Sequence, residues 1–185
     1  RHQYLPANRR GGELETTVQI GTVAGATTEF YQPLDWGMKW FVEPSIIYER
    51  GTQEIWLGGN AIADYSFTTA SARIAAGRVL GRWGELRVSA FTGKNRGSVR
   101  IGLPEFGSAE EDRAGGEVRF RIDSEDSVVF PRSGAHVDVV YSVSSEALGA
   151  DAPFERIWGK ASYAWSFGKN TIVPAIEYGD NLDSP

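Results

Sequence analysis

Residues 116–143 read GEVRFRIDSEDSVVFPRSGAHVDVVYSV, and their alternation decides the fold. In the first half Glu117, Arg119, Arg121 and Asp123 alternate with Val118, Phe120 and Ile122. In the second half His136 and Asp138 alternate with Val137, Val139, Tyr141 and Val143. Successive side chains of a strand point to opposite faces, so this stretch is a hairpin with one charged and one oily face. If the oily face looks inward the chain is a water-soluble barrel; if it looks outward the chain spans a membrane.

Composition narrows the choices. A chain of 185 residues is long enough for one sizeable sheet domain. The absence of cysteine rules out a disulfide framework and thiolate metal sites. A formal net charge of −5, with no basic stretch, argues against a nucleic-acid partner. The two histidines, His2 and His136, are far apart and have no metal-ligand spacing. There is no apolar run long enough for a transmembrane helix. The ends, RHQYLPANRR and GDNLDSP, read as cuts within a longer protein, so residues 1–185 are expected to be part of a larger chain.

Alternation continues along the chain. Leu14, Thr16, Val18 and Ile20 interleave with Glu15, Thr17 and Gln19; Leu86, Val88 and Ala90 with Glu85, Arg87 and Ser89. Val99, Ile101 and Leu103 interleave with Ser98, Arg100 and Gly102, and Ile157, Ala161, Tyr163, Trp165 and Phe167 face away from Trp158, Lys160, Ser162 and Ser166. The pattern predicts an all-β antiparallel meander of about ten or eleven strands. Turn signals fall into two alternating sets. Short turns are expected at Pro33–Gly37, Phe67–Ala70, Gly93–Gly97, Pro131–Gly134 and Phe167–Asn170. Opposite them lie Val23–Thr27, Gly51–Gln53, Gly81–Gly84, and two long loops, Pro104–Gly115 and Ser145–Pro153. Short turns at one end and long loops at the other is the layout of an outer-membrane barrel.

Aromatic residues cluster near the short set: Phe30, Tyr31, Trp36, Trp40 and Phe41 at the first, then Tyr65, Phe67, Phe91, Phe130, Trp165 and Phe167. This suits a girdle at a membrane interface. In a soluble barrel the same rings close one end of the core. Side-chain volume favours the membrane. Ala72, Ile74, Ala76, Leu86, Val88 and Ala90 are too small to fill a packed core but suffice against lipid. Charged residues facing a dry interior would cost heavily. Glu117, Arg119, Arg121, Asp123, His136 and Asp138 are therefore expected to line a wet lumen.

At FYQPLDWGMKWFVEP (residues 30–44) and RIDSEDSVVFPRSG (residues 121–134) the chain resembles the bacterial surface antigen superfamily of outer-membrane β-barrels. FYQPLD, LGRWGELRVSAFTG and the FPRSG turn point to the branch attached to a patatin-like phospholipase, autotransporter-like and carrying POTRA domains. Phe130, Pro131 and Gly134 are the turn motif: Pro131 presets φ and Gly134 supplies a positive φ. Pro33 closes a strand where its missing donor does no harm. The resemblance implies that residues 1–185 are the N-terminal part of a longer barrel in the outer membrane of a Gram-negative bacterium. It also implies a role in anchoring, translocating or displaying an attached lipase domain. The partners implied are outer-membrane lipid, an attached periplasmic or surface domain and the barrel-assembly machinery; a homo-oligomer remains open.

Chemistry of its own is sparse. No Gly-x-Ser-x-Gly elbow, P-loop or dinucleotide fingerprint occurs, so no catalytic, metal or cofactor residue is assigned. His136 and Asp138 share a face with Ser142, but lumen lining accounts for them better than a catalytic group. The AEEDR run at residues 109–113 reads as a solvated loop, SSEALGA as a loop holding a helical turn, and Gly58-Gly59-Asn60 as a bulge. The alternative reading is a soluble lipocalin-like barrel holding a small ligand.

Overall fold

Glycine and aromatic residues, which look like turn signals in the sequence, set the length of the strands. In the computed structural model, which describes residues 2–4, 7–57, 60–101 and 107–182, several of them pair inside long strands. The elements are β1 (His2–Tyr4), β2 (Glu13–Gln19), β3 (Val23–Pro33), β4 (Trp40–Leu57), β5 (Asn60–Val79), β6 (Gly84–Ile101), β7 (Ser108–Asp123), β8 (Ser133–Ser144), β9 (Phe154–Phe167), β10 (Asn170–Ile172) and β11 (Ala175–Asn181). A 3₁₀ turn, Glu146–Leu148, interrupts the β8–β9 connection. No helix is long and apolar enough to cross a membrane among the described residues.

Each strand pairs antiparallel with the next from β1 to β10, and β11 pairs beside β10 on β9. The result is one open, single-layered sheet, the expected meander. Its accessible surface is 12777 Å², against about 8,800 Å² for a compact monomer of this mass. Among the described residues Phe41 and Pro33 are the largest side chains that are fully buried.

Several expected turns lie inside strands. Val23–Thr27 opens β3, Gly51–Gln53 and Phe67–Ala70 lie within β4 and β5, and Gly93–Gly97 within β6. Rings explain two of these glycines, Gly51 and Gly97, and Gly77 in β5 as well. A Cβ on Gly77 would meet Phe41 Cζ at 2.3 Å, one on Gly51 would meet Phe67 Cζ at 2.5 Å, and one on Gly97 would meet Tyr65 Cε1 at 2.4 Å. Each glycine is thus a seat for a ring from the adjacent strand, and the strand runs on through it.

Among the described connections the asymmetry of short turns and long loops is not found. One end carries residues 20–22 and 145–153; the other carries 34–39, 80–83, 124–132 and 168–169. The AEEDR run is not a loop: it lies in β7, with Glu110 and Asp112 held by Lys94 and Arg96 of β6 and Glu111 by the Asn95 amide. The SSEALGA stretch does hold the 3₁₀ turn. Gly58, Gly59, Leu103 and Pro104–Phe106 lie outside the described residues.

Candidate functional site

Register sorts the side chains into two faces. The rows Glu43–Ala75–Ser89–Glu117–Ser142–Arg156 and Phe41–Gly77–Arg87–Arg119–Val140–Trp158 lie on one face. The rows Pro44–Ile74–Ala90–Gly116–Val143 and Val42–Ala76–Val88–Val118–Tyr141–Ile157 lie on the other. Along β6 the first face is consistently less exposed than the second. It is the inner face of the curved sheet.

The inner face is a web of paired charges. Arg119 Nε donates to Asp138 Oδ1 at 2.7 Å, its second nitrogen reaches Oδ2, and Arg121 donates to Asp138 at 3.3 Å. Arg73 pairs with Glu117 at 2.8 Å, and Ser142 Oγ donates to the same carboxylate at 3.4 Å. Arg87 bridges Glu43 and Glu85 while its guanidinium stacks 5.0 Å above Phe41. Burying a charge is tolerable when a partner and hydrogen bonds accompany it, which this face supplies.

Glu117, Arg119, Arg121, Asp123, His136 and Asp138 all fall on this face. His136 Nδ1 lies 3.8 Å from Asp123 Oδ2, and Asp138 is held by two arginines rather than by His136. Ser142 is engaged with Glu117. Ser162, directly opposite His136 in the register, donates to Glu125, and no hydroxyl hydrogen bond to His136 occurs among the described residues. No group of three or more metal-ligating side chains occurs among the described residues. The partners Arg73, Glu43 and Arg87 lie 44 positions away from their carboxylate or guanidinium, beyond what alternation within one strand can reveal.

Phe130 and Pro131 of the turn motif lie in the 124–132 connection, and Gly134 is the second residue of β8. Asp126 Oδ1 accepts the backbone N–H of Arg132 at 2.8 Å and of Ser133 at 3.2 Å, which lowers its pKa. Asp35 does the same in the 34–39 turn, accepting from Trp40 and Lys39, and its pKa is likewise lowered. Gly134 has φ 109°, and a Cβ there would meet the Ser124 carbonyl at 2.2 Å. Phe130 is exposed.

The outer face has a border. On β4, Trp40, Val42, Pro44, Ile46 and Tyr48 face outward, and Arg50 is the first charge beyond them. On β6 the outward run Leu86, Val88, Ala90, Thr92 ends at Lys94, and on β7 Ala114 gives way to Asp112. On β9, Trp165, Tyr163, Ala161, Gly159 and Ile157 give way to Glu155. Followed through the register, Glu155 lies in the row of Pro44, six residues below Arg50. Six residues are about 20 Å along a strand and five strand spacings about 24 Å across, so the border crosses the strands at about 40° to their perpendicular. The opposite border, marked by Trp40 on β4 and Trp165 on β9, descends by the same six residues. The apolar belt therefore keeps a constant height, bracketed by aromatic residues, across strands tilted as in transmembrane barrels. Its side chains are bare: Ile46 is 65%, Ile74 57% and Val88 55% exposed.

A tilted antiparallel meander with a polar inner face and an apolar outer belt defines the barrel-wall class of β-protein. The crystal structure of BamA from Haemophilus ducreyi lacking POTRA domains 1–3 shares this fold, with a TM-score of 0.74, 10% identity and 94% of the present chain covered. The chain spans 36% of that structure's length. No known family profile and no curated protein matches the sequence.

Proposed function

We propose that this chain is part of the wall of a bacterial outer-membrane β-barrel of the surface-antigen type. The slanted belt carries the reading. A soluble lipocalin-like barrel would bury Ile46, Ile74 and Val88 and expose Asp138, the reverse of the arrangement found. Lipid outside and water inside satisfies both faces, with Glu117, Arg119, Arg121, Asp123, His136 and Asp138 lining the lumen. The fold likeness to BamA, itself an outer-membrane barrel, supports the location.

Backbone groups at an open sheet edge cannot be left in hydrocarbon, so further strands close this wall. The barrel anchors an attached domain and takes part in its translocation or display. The patatin-like lipase branch is proposed from residues 30–35, FYQPLD, and from the FPRSG turn. The barrel-assembly machinery is the partner that such a wall requires for insertion.

Membrane fractionation of the full-length protein, followed by unheated and heated gel electrophoresis, tests the location. The expected result is a carbonate-resistant membrane protein whose mobility shifts on heating. A soluble protein without a shift rejects it. For the attached activity, replacing His136 and Asp138 by Ala is expected to leave lipid hydrolysis by the full-length protein intact.

A further inference from the structure

A hollow of ≈ 790 Å³ lies on the outer face where the belt ends. Its floor is formed by Ile46, Ala70 and Ala72; the small alanines of β5 leave a furrow between the larger side chains of β4 and β6. One wall is Leu148, an apolar side chain 60% exposed on the β8–β9 connection. That connection is fixed to β7 by two bonds, Asp151 N–H to the Asp112 carbonyl at 2.9 Å and Asp112 N–H to the Asp151 carboxylate at 2.6 Å. Leu148 is therefore held beside the furrow.

The rim is charged. Lys94 donates to Glu110 at 3.0 Å and contacts Asp112 at 3.1 Å, and Arg96 donates to Glu110 at 3.1 Å. Arg50 stands in the same cross-strand row as Arg96 and Glu110, and has no ion pair among the described residues. With the Asp151 carboxylate on the Asp112 N–H, the border patch sets three cations, Arg50 among them, against three carboxylates. The pairs are open to water, the side chains of Lys94 and Arg96 being 51% and 65% exposed. Exposed pairs of this kind exchange partners at little cost.

We propose that this hollow binds one anionic membrane lipid, an acyl chain lying in the Ala70–Ala72 furrow against Leu148 and its phosphate held by Lys94 and Arg96. The inference rests on the barrel reading, because only that reading puts the hollow at the level of lipid headgroups. A phosphate at a membrane border gains from nearby cations, and an apolar furrow running down from it matches the direction of the chain. The two features are independent, and each contributes separately to retention.

Native mass spectrometry of the detergent-solubilised full-length protein, titrated with dioleoylphosphatidylglycerol and dioleoylphosphatidylcholine, tests this. The wild type is expected to retain the phosphatidylglycerol preferentially. Lys94→Gln with Arg96→Gln is expected to weaken that retention by about thirtyfold, the effect of two surface cations. Glu110→Gln with Asp112→Asn, which removes two of the three competing carboxylates, is expected to strengthen it. Leu148→Ser is expected to weaken both lipids alike. Equal retention of the two lipids by the wild type, or unchanged phosphatidylglycerol binding in the Lys94/Arg96 variant, overturns the proposal, as does displacement of the lipid by inorganic phosphate at equal concentration. A heat-shifting barrel without lipid preference rejects this site alone, whereas loss of the heat shift in the wild type rejects the barrel reading with it.

Discussion

The outer faces of β4 to β7 below and above the Ile46–Ala72–Thr92–Ala114 row are built from the same pleat and meet different solvents. Below it stand Pro44, Ile74, Ala90 and Val118; above it stand Arg50, Thr68, Lys94, Arg96, Glu110 and Asp112. The inner face shows no such break, since Glu43, Arg73 and Arg87 below and Glu49, Asn95 and Glu111 above are all polar. A change in environment along a continuous strand is thus written on one face only. The strands also project past the belt, because β5 runs from Asn60 to Val79 whereas a tilted span needs about 9–11 residues.

The largest effect that can break this comparison is a charge placed in the belt. Ile74→Arg is expected to cost about 2–4 kcal/mol in urea unfolding from lipid vesicles, whereas Thr68→Arg above the border costs about 0–1 kcal/mol. Equal costs at the two heights would remove the belt. Next come the ring seats, which serve the inner face and ignore the border. Gly77→Val below it and Gly97→Val above it are each expected to lose about 1–3 kcal/mol by overpacking, measured in the same assay. A smaller effect belongs to the ion pairs. Asp138→Ala leaves two half-exposed guanidiniums without their carboxylate and is expected to cost about 1–2 kcal/mol, discounted for the water around them. Removing Glu110 on the outer face is expected to leave unfolding unchanged. A double-mutant cycle between Asp138 and Arg119 checks the first value.

The smallest effect is a pH dependence in the turn. The pKa of Asp126 is lowered in the fold by the backbone N–H groups of Arg132 and Ser133. A depressed carboxyl stabilises the folded turn above its unfolded pKa and loses that contribution as pH falls through the folded value. The stability difference between wild type and Asp126→Ala, followed by hydrogen exchange at Ser133 and Arg132, is therefore expected to shrink as acid is added below the ordinary aspartate range. A difference that grows in acid contradicts the assignment.

The faces were legible in the sequence because alternation is local: Val118, Phe120 and Ile122 announce their common side within six residues. Strand length was not legible. Gly51, Gly93 and Gly97 carry the composition of turns, and only the rings seated over Gly51 and Gly97 from β5 reveal why the chain stays extended there. The AEEDR run misled for a related reason. A charged strand segment resembles a loop until the border that exposes it is known. The partners of the inner charges required register, since Arg73 and Glu117 meet across β6 and not within one hairpin. The charged border from Arg50 to Glu155 needed the tilt of the strands to be recognised.

The seating of Phe41 on Gly77 bears on how such a wall assembles. A hairpin that slips by one residue turns its oily face inward and is rejected at once. A slip by two residues leaves every outward side chain outward, so neither lipid nor lumen detects it. It would, however, move Phe41 from Gly77 onto Ala75 or Val79, whose Cβ stands where the ring lies over Gly77. The ring and its glycine thus proofread pairing in steps of two, an error class to which solvent is blind.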